Sequence, residues 1–179
     1  MVNISERPAE AADRAVPGHW EGDLIIGKNQ ASQLGTLVER SSGFVQLLHL
    51  PASREADVVA EAMIAEIREL PSNLWKTLTW DQGHEMAANG RISIDAAVDI
   101  YFCDPHSPWR RGSNENTNGL LRQYFPKGTD LSVHSATYLD ELAAELNSRP
   151  QKRFDWDSPT TVLARLLSTA SVATVASKP

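Results

Sequence analysis

The sequence predicts an α/β fold, a mixed five-stranded sheet flanked by helices. Three observations lead there. Three β-rich stretches follow one another with only short links between them. The apolar residues that come after alternate between strand-like and helix-like spacing. No apolar run approaches the ~18 residues of a membrane span, so the sheet and its helices must form an ordinary buried core.

The first strands are residues 20–26 (WEGDLII), 33–39 (QLGTLVE) and 44–50 (FVQLLHL). Arg40-Ser41-Ser42-Gly43 joins the last two as a short polar turn ending in Gly, so the three should lie antiparallel side by side. A helix over 54–70 follows, with Ser53 placed to cap it, Pro71 to stop it, and Val59, Met63, Ile67 and Leu70 as its apolar stripe. Then come a strand at 74–80, a helix around 94–98, a strand at 100–103 and a helix over 114–125. The last of these has Leu120, Leu121, Tyr124 and Phe125 on its packing side. Residues 137–147 repeat Leu139, Leu142, Ala143 and Leu146 at helical spacing, and Ser158-Pro159 opens a final helix. Residues 1–17, rich in Ala, Glu and Pro, read as a linker or N-terminal arm. Residues 168–179, small and polar, read as a disordered tail.

Composition narrows the function. The polar N-terminus lacks a signal-peptide core, which points to the cytoplasm. Cys103 is the only cysteine and the five histidines are scattered, so any metal should be held by oxygen. The formal charge of −6, from 17 Lys+Arg against 23 Asp+Glu, argues against a uniformly basic nucleic-acid binder. Yet Arg110, Arg111, Arg122 and Lys127 fall in one short segment, and Arg149, Lys152 and Arg153 in another.

Three acids stand out. Asp23 lies within an apolar strand, where a carboxylate is costly unless paired, hydrogen-bonded or bound to metal. Glu21, two residues earlier, shares its strand face, and spacing alone does not choose between them. Asp81 ends the fourth strand in LTWDQGHE, where Asp-x-Gly is also an ordinary turn. Glu115 opens a helix on one face with Asn118 and Arg122, where it would also complement the helix dipole. Together the acids suit phosphodiester chemistry. Two Mg²⁺ ions ~3.5–4 Å apart can activate the attacking oxygen and stabilise the leaving one, and hard cations prefer carboxylate ligands.

Three segments, GHWEGDLIIG, LTWDQGHEMA and SPWRRGSNENTNGLLRQYFPKGTDLS, resemble the catalytic blocks of the insertion sequence thirty family of bacterial transposases. The resemblance runs from Pro17 to Leu167. It implies a ribonuclease H-like DDE catalytic domain over residues 18–167, shared with retroviral integrases. It makes Asp23, Asp81 and Glu115 the catalytic and metal-binding acids, choosing Asp23 over Glu21, with Mg²⁺ or Mn²⁺ as cofactor, two ions once substrate is bound. The activity implied is cleavage and strand transfer of a mobile element's DNA at the nucleoid, by an oligomer of the full-length protein. Arg110, Arg111, Arg122, Lys127, Asn118 and Trp109 are then the expected DNA contacts, and Glu85 and Asn114 the groups supporting the acids. Trp20, Trp75, Trp80 and Trp156 are expected in the core or in docking contacts. Two departures matter. Nothing before Gly18 is long enough for the family's helix-turn-helix region, which implies an excised domain or truncated product. His84 stands where the family leads one to expect lysine. A non-catalytic DNA-binding or assembly domain, and a plain metal-dependent nuclease, are the alternatives.

Overall fold

The computed structural model describes residues 1–11, 13–50, 55–81, 83–104 and 112–176, with side chains to residue 169. Alternation of side chains along the first strands dictates the layers. In β2 (His19–Ile26), Trp20 and Leu24 face one way and Ile25 the other. β3 (Gln33–Glu39) and β4 (Val45–Leu50) repeat the pattern, with Leu37 and Leu48 on the first face and Leu34, Val38, Val45 and Leu47 on the second. Each apolar face needs a cover. α1 (Ala56–Arg68) and α2 (Asn89–Ala96) bury the first through Val59, Met63, Ile67 and Ile92. α3 (Gly112–Leu121) and α4 (Ala136–Ser148) bury the second through Leu121, Leu139, Leu142 and Leu146.

β2, β3 and β4 are antiparallel, as expected. The turn between β3 and β4 closes with Gly43 at φ 70° and the buried Glu39 carboxylate accepting hydrogen bonds from Ser41 N, Ser42 N and Ser42 Oγ. β5 (Thr77–Trp80) adds parallel to β2, and β6 (Asp99–Phe102) parallel to β5. On the outer edge of β4 the Asn147 side chain takes the place of a neighbouring strand. Its Oδ1 accepts from Val45 N and its Nδ2 donates to Val45 O, both at 2.8 Å, which satisfies groups that would otherwise invite pairing with another chain. Among the described residues no helix is long and apolar enough to cross a membrane.

The structure corrects several expectations. The five expected strands are joined by a sixth, β1 (Val2–Asn3), parallel to β6, giving the order β1-β6-β5-β2-β3-β4. The expected arm is therefore docked at its start. Ile4 is buried, and Arg7 Nη1 donates to Thr79 Oγ1 at 3.0 Å. Two residues carry no readable periodicity, so composition dominated that reading. The final helix, α5 (Pro159–Ala176), passes the boundary expected at Leu167, because small residues with no Gly or Pro do not break a helix. α2 lies earlier than the expected 94–98. It ends at Ala97 in the left-handed region, and Ile94, where the expected helix began, is 80% exposed. β5 starts later than residue 74, since Ser72–Leu74 forms a 3₁₀ turn after Pro71. α3 ends at Leu121, and the expected stretch to 125 continues as turns. Trp20, Trp75 and Trp80 are core residues as expected, whereas Trp156 is 67% exposed on a loop with positive φ. Ser53, the expected cap of α1, lies outside the described residues.

One core-flanking group is proton-linked. Glu66 on α1 has its carboxyl pushed up to about 7, first by burial and then by Asp140 and Glu69, against the stabilising hydrogen bond from Gln46 Nε2. Between the usual carboxylate range near 4.5 and about 7 the folded form keeps a proton that the unfolded chain has released, so this group's stabilisation falls as pH rises through that window. Glu66→Gln is expected to stabilise the fold by on the order of 1–2 kcal/mol at about pH 8, after discounting for partial exposure. At about pH 4 it should change little. Thermal melts at the two pH values check this. Equal effects at both would remove Glu66 as the cause.

Candidate active site

The sheet brings Asp23 and Asp81 to the same edge. β2 and β5 run parallel in the register His19↔Thr77, Trp20↔Leu78, Glu21↔Thr79. Continued past the end of β5, that register sets Asp81 beside Asp23. The Trp80 ring can lie over β2 because residue 22 is glycine. A Cβ there would come within 2.1 Å of the Trp80 ring, which is fully buried across Gly22. Asp23 and Asp81 are both half-buried.

Asp23 is oriented through a polar chain from the sheet interior. Asn118 Nδ2 on α3 donates to Asp23 Oδ2 at 3.2 Å, and Leu24 N donates to Oδ1 at 2.8 Å. Asn118 Oδ1 in turn accepts from Thr36 Oγ1 at 3.0 Å. Thr36 lies directly opposite Asp23 on β3, and its hydroxyl accepts from Asn114 Nδ2 at 3.2 Å. Donation thus runs Asn114, Thr36, Asn118, Asp23, from fully buried groups to the carboxylate. Such a chain fixes the rotamers of its members and the orientation of the Asp23 carboxylate.

The same helix settles what Glu21 does. Its fully buried carboxylate accepts from Arg40 Nε at 2.7 Å and from Asn114 N at 3.0 Å, so it anchors the positive end of α3 to the sheet. Asn114 Nδ2 also reaches Glu21 O. Glu21 therefore positions the helix, while Asp23 on the same face reaches the half-exposed edge. Glu115, exposed in the first turn of α3, stands one turn before Asn118. Helix geometry places it along the Asn118 flank.

Other expected residues fall as follows. Glu85 accepts from Trp80 Nε1 at 3.3 Å, its carboxylate folded against Gly83 just beyond Asp81. Asn118 and Asn114 have partners inside the protein, as above. Arg122 donates to Ile26 O and Phe125 O, tying α3 to the end of β2. Lys127 and His84 are exposed. Trp109, Arg110 and Arg111 lie outside the described residues. Thr36 and Arg40 were missed. Their roles depend on partners distant in sequence, and a lone Thr in a strand or an Arg in a turn carries no signal. Among the described residues, no three His, Cys, Asp or Glu side chains stand close enough to hold a metal ion. The structure pairs Asp23 with the Glu115-bearing helix and aligns it with Asp81, and it does not close the three carboxylates into one ligand set.

No protein-family model matches the chain. Individual relatives do. The chain is 52% identical over 168 residues to the transposase for insertion sequence element IS1086 of Cupriavidus metallidurans, covering 94% of this chain and 49% of the relative. It is 44% identical over 162 residues to the transposase InsI for insertion sequence element IS30C of Escherichia coli, covering 90% and 42%. It is 37% identical over 172 residues to the transposase for insertion sequence element IS4351 of Bacteroides fragilis, covering 96% and 52%. The chain thus spans about half the length of the curated relatives it matches. Among solved structures, the catalytic core domain of BIV integrase superposes with TM-score 0.62 at 17% identity, covering 86% of this chain and 97% of that one. A chain of the simian T-cell lymphotropic virus intasome, solved in complex with PP2A regulatory subunit B56 gamma, gives 0.65 at 19% identity, covering 83% and 55%. The curated homologues at 44–52% identity over about 90% of this chain are thus IS30-family transposases, matched over about half their length, and the chain's fold is the ribonuclease H-like fold of integrase catalytic cores.

Proposed function

We propose that this chain is the catalytic core with which a DDE transposase cuts and joins the DNA of a mobile element, using Asp23, Asp81 and Glu115 and acting in the bacterial cytoplasm at the nucleoid. One observation carries the reading. The amide of Asn118, on the helix of Glu115, holds the carboxylate of Asp23 at the sheet edge where Asp81 follows β5.

The donor set fits Mg²⁺ or Mn²⁺, since the three acids offer only oxygen, the ligand that hard divalent cations prefer. Bound there, such ions would supply the positive charge that makes a hydroxyl nucleophilic and stabilises a leaving oxygen. The chain's own part is positional. Glu21 and Arg40 anchor α3, the Asn114–Thr36–Asn118 chain sets Asp23, and the Gly22–Trp80 contact holds β2 and β5 together. Asn114 and Glu85 belong to this supporting set. Arg122, Lys127, Arg110, Arg111 and Trp109 supply the backbone grip on DNA, which carries no sequence information by itself. Joining also requires two element ends held together, so the reading includes an oligomer of the full-length protein.

Strand transfer with pre-cut element ends, by a full-length transposase containing this segment, tests the reading. Joined product in Mg²⁺ is expected. Hydrolysis without joining would make the domain a plain nuclease, and loss of neither on mutation of the three acids would make it a binding or assembly domain.

A further inference from the structure

On the flank of α3 away from Asp23 lies a pocket of about 260 Å³, between that helix, the β3–β4 turn and the segment after α4. Val45, Leu120 and Leu146 give it an apolar floor, and Ser113, Arg149 and Arg153 a polar rim. One of these polar groups lacks what burial normally demands. Ser113 is 3% exposed, and its Oγ has no hydrogen-bond partner among the described residues. A buried hydroxyl in that state costs free energy until something fills it.

Arg153, itself exposed, adds a cation to the rim. Its Nε donates to Gln151 Oε1 at 2.9 Å and its guanidinium lies 4.4 Å from the Phe154 ring centroid, with no carboxylate partner among the described residues. It packs against Gly43, where a Cβ would come within 2.0 Å of Nη2. Because arginine stays charged in proteins, this is an unneutralised cation. Arg149 differs, being held by Glu145 at 2.6 Å and Tyr124 at 2.7 Å, and serves as a wall.

We propose that this pocket takes one nucleotide of a DNA strand, its phosphate on Arg153 and Ser113 and its base against Val45, Leu120 and Leu146. The site rests on the DNA-processing reading above. Asn116, the residue after Glu115, also lines it, so a strand crossing Glu115 passes its mouth. A basic site of this kind is what an acidic protein, at net −6, needs in order to grip a polyanion locally. An apolar floor is of no use to a bare phosphate, whereas a base has an apolar face to bury there.

The test is fluorescence anisotropy of this chain with a labelled single-stranded oligonucleotide over a range of salt. Arg153→Gln should weaken binding about 10-fold and lower the slope of log affinity against log salt by about one. Ser113→Ala removes a hydroxyl that has no partner to lose, so the fold should keep its Tm while binding weakens about 5-fold. This variant decides the matter if Arg153→Gln does not fold. Binding unchanged in both variants overturns the pocket and leaves the transposase reading standing. A chain that binds no oligonucleotide overturns the pocket, while strand transfer by the full-length protein decides the transposase reading separately. Inorganic phosphate alone, at matched ionic strength, should not displace the oligonucleotide, and equal affinity for it would make this a free-anion site and overturn the proposal.

Discussion

Asp81→Asn in a full-length transposase carrying this segment is expected to lower cleavage and strand transfer by at least about 10³-fold, or roughly 4 kcal/mol of transition-state stabilisation. The substitution keeps the volume of the side chain and removes its charge. Asp81 lies just past β5, half-buried, in the position that the parallel register sets beside Asp23. The amide keeps the shape of the side chain and can still accept hydrogen bonds, so the variant should melt close to the parent temperature. Loss of activity together with an unchanged Tm separates a chemical role from a structural one. Cleavage in Mg²⁺ near the wild-type rate would remove Asp81 from the chemistry.

Gly22→Ala is expected to cost about 3 kcal/mol, the upper end for overpacking in a rigid core. For a domain of this size that lowers Tm by roughly 10 °C. The added Cβ would sit 2.1 Å from Cζ3 and 2.2 Å from Cε3 of Trp80. Trp80 is fully buried and its ring cannot swing away. Because the Trp80 ring lies over β2, surviving folded protein should also show displaced Asp23 and Asp81 and lowered activity. Gly90→Ala is the control. Nothing lies within 4 Å of a Cβ there, and in helix α2 the change should stabilise by about 0.5–1 kcal/mol. Thermal melts of the two variants give the comparison, and a Gly22→Ala protein as stable as the parent would contradict the packing argument.

What the sequence reveals, and what it hides, follows from the range of the interactions. β2, β3 and β4 are legible because a β-rich pattern and a glycine turn are local, and α1 and α4 because several core residues repeat at helical spacing. β1 is hidden because two residues have no period and its partner, β6, lies about a hundred residues away. α2 is displaced because only Ile92 of its side chains is buried. In the site, Asp81 and Glu115 stand out at element ends. Glu21 and Asp23 share a face, so period-two reasoning cannot part them. Their difference lies in Arg40 and Asn114, which reach Glu21, and in Asn118, which reaches Asp23. The resemblance to known transposases favoured Asp23 before any of these contacts was visible. Arg153 reads in sequence as one more surface cation, since neither Gly43 nor Ser113 is near it in the chain.

The central claim is that Asp23, Asp81 and Glu115 form one divalent-metal site. Titration of the chain with Mn²⁺, followed by paramagnetic broadening of backbone amide resonances, tests it without requiring activity. Because the described residues do not gather the three acids in advance, binding should be weak and should tighten when DNA phosphates add ligands. Broadening should begin at residues 22–24 and at Asp81, extend to the first turn of α3, and be lost in Asp81→Asn. Broadening that leaves all three acids untouched, or that persists unchanged in Asp81→Asn, would contradict the account.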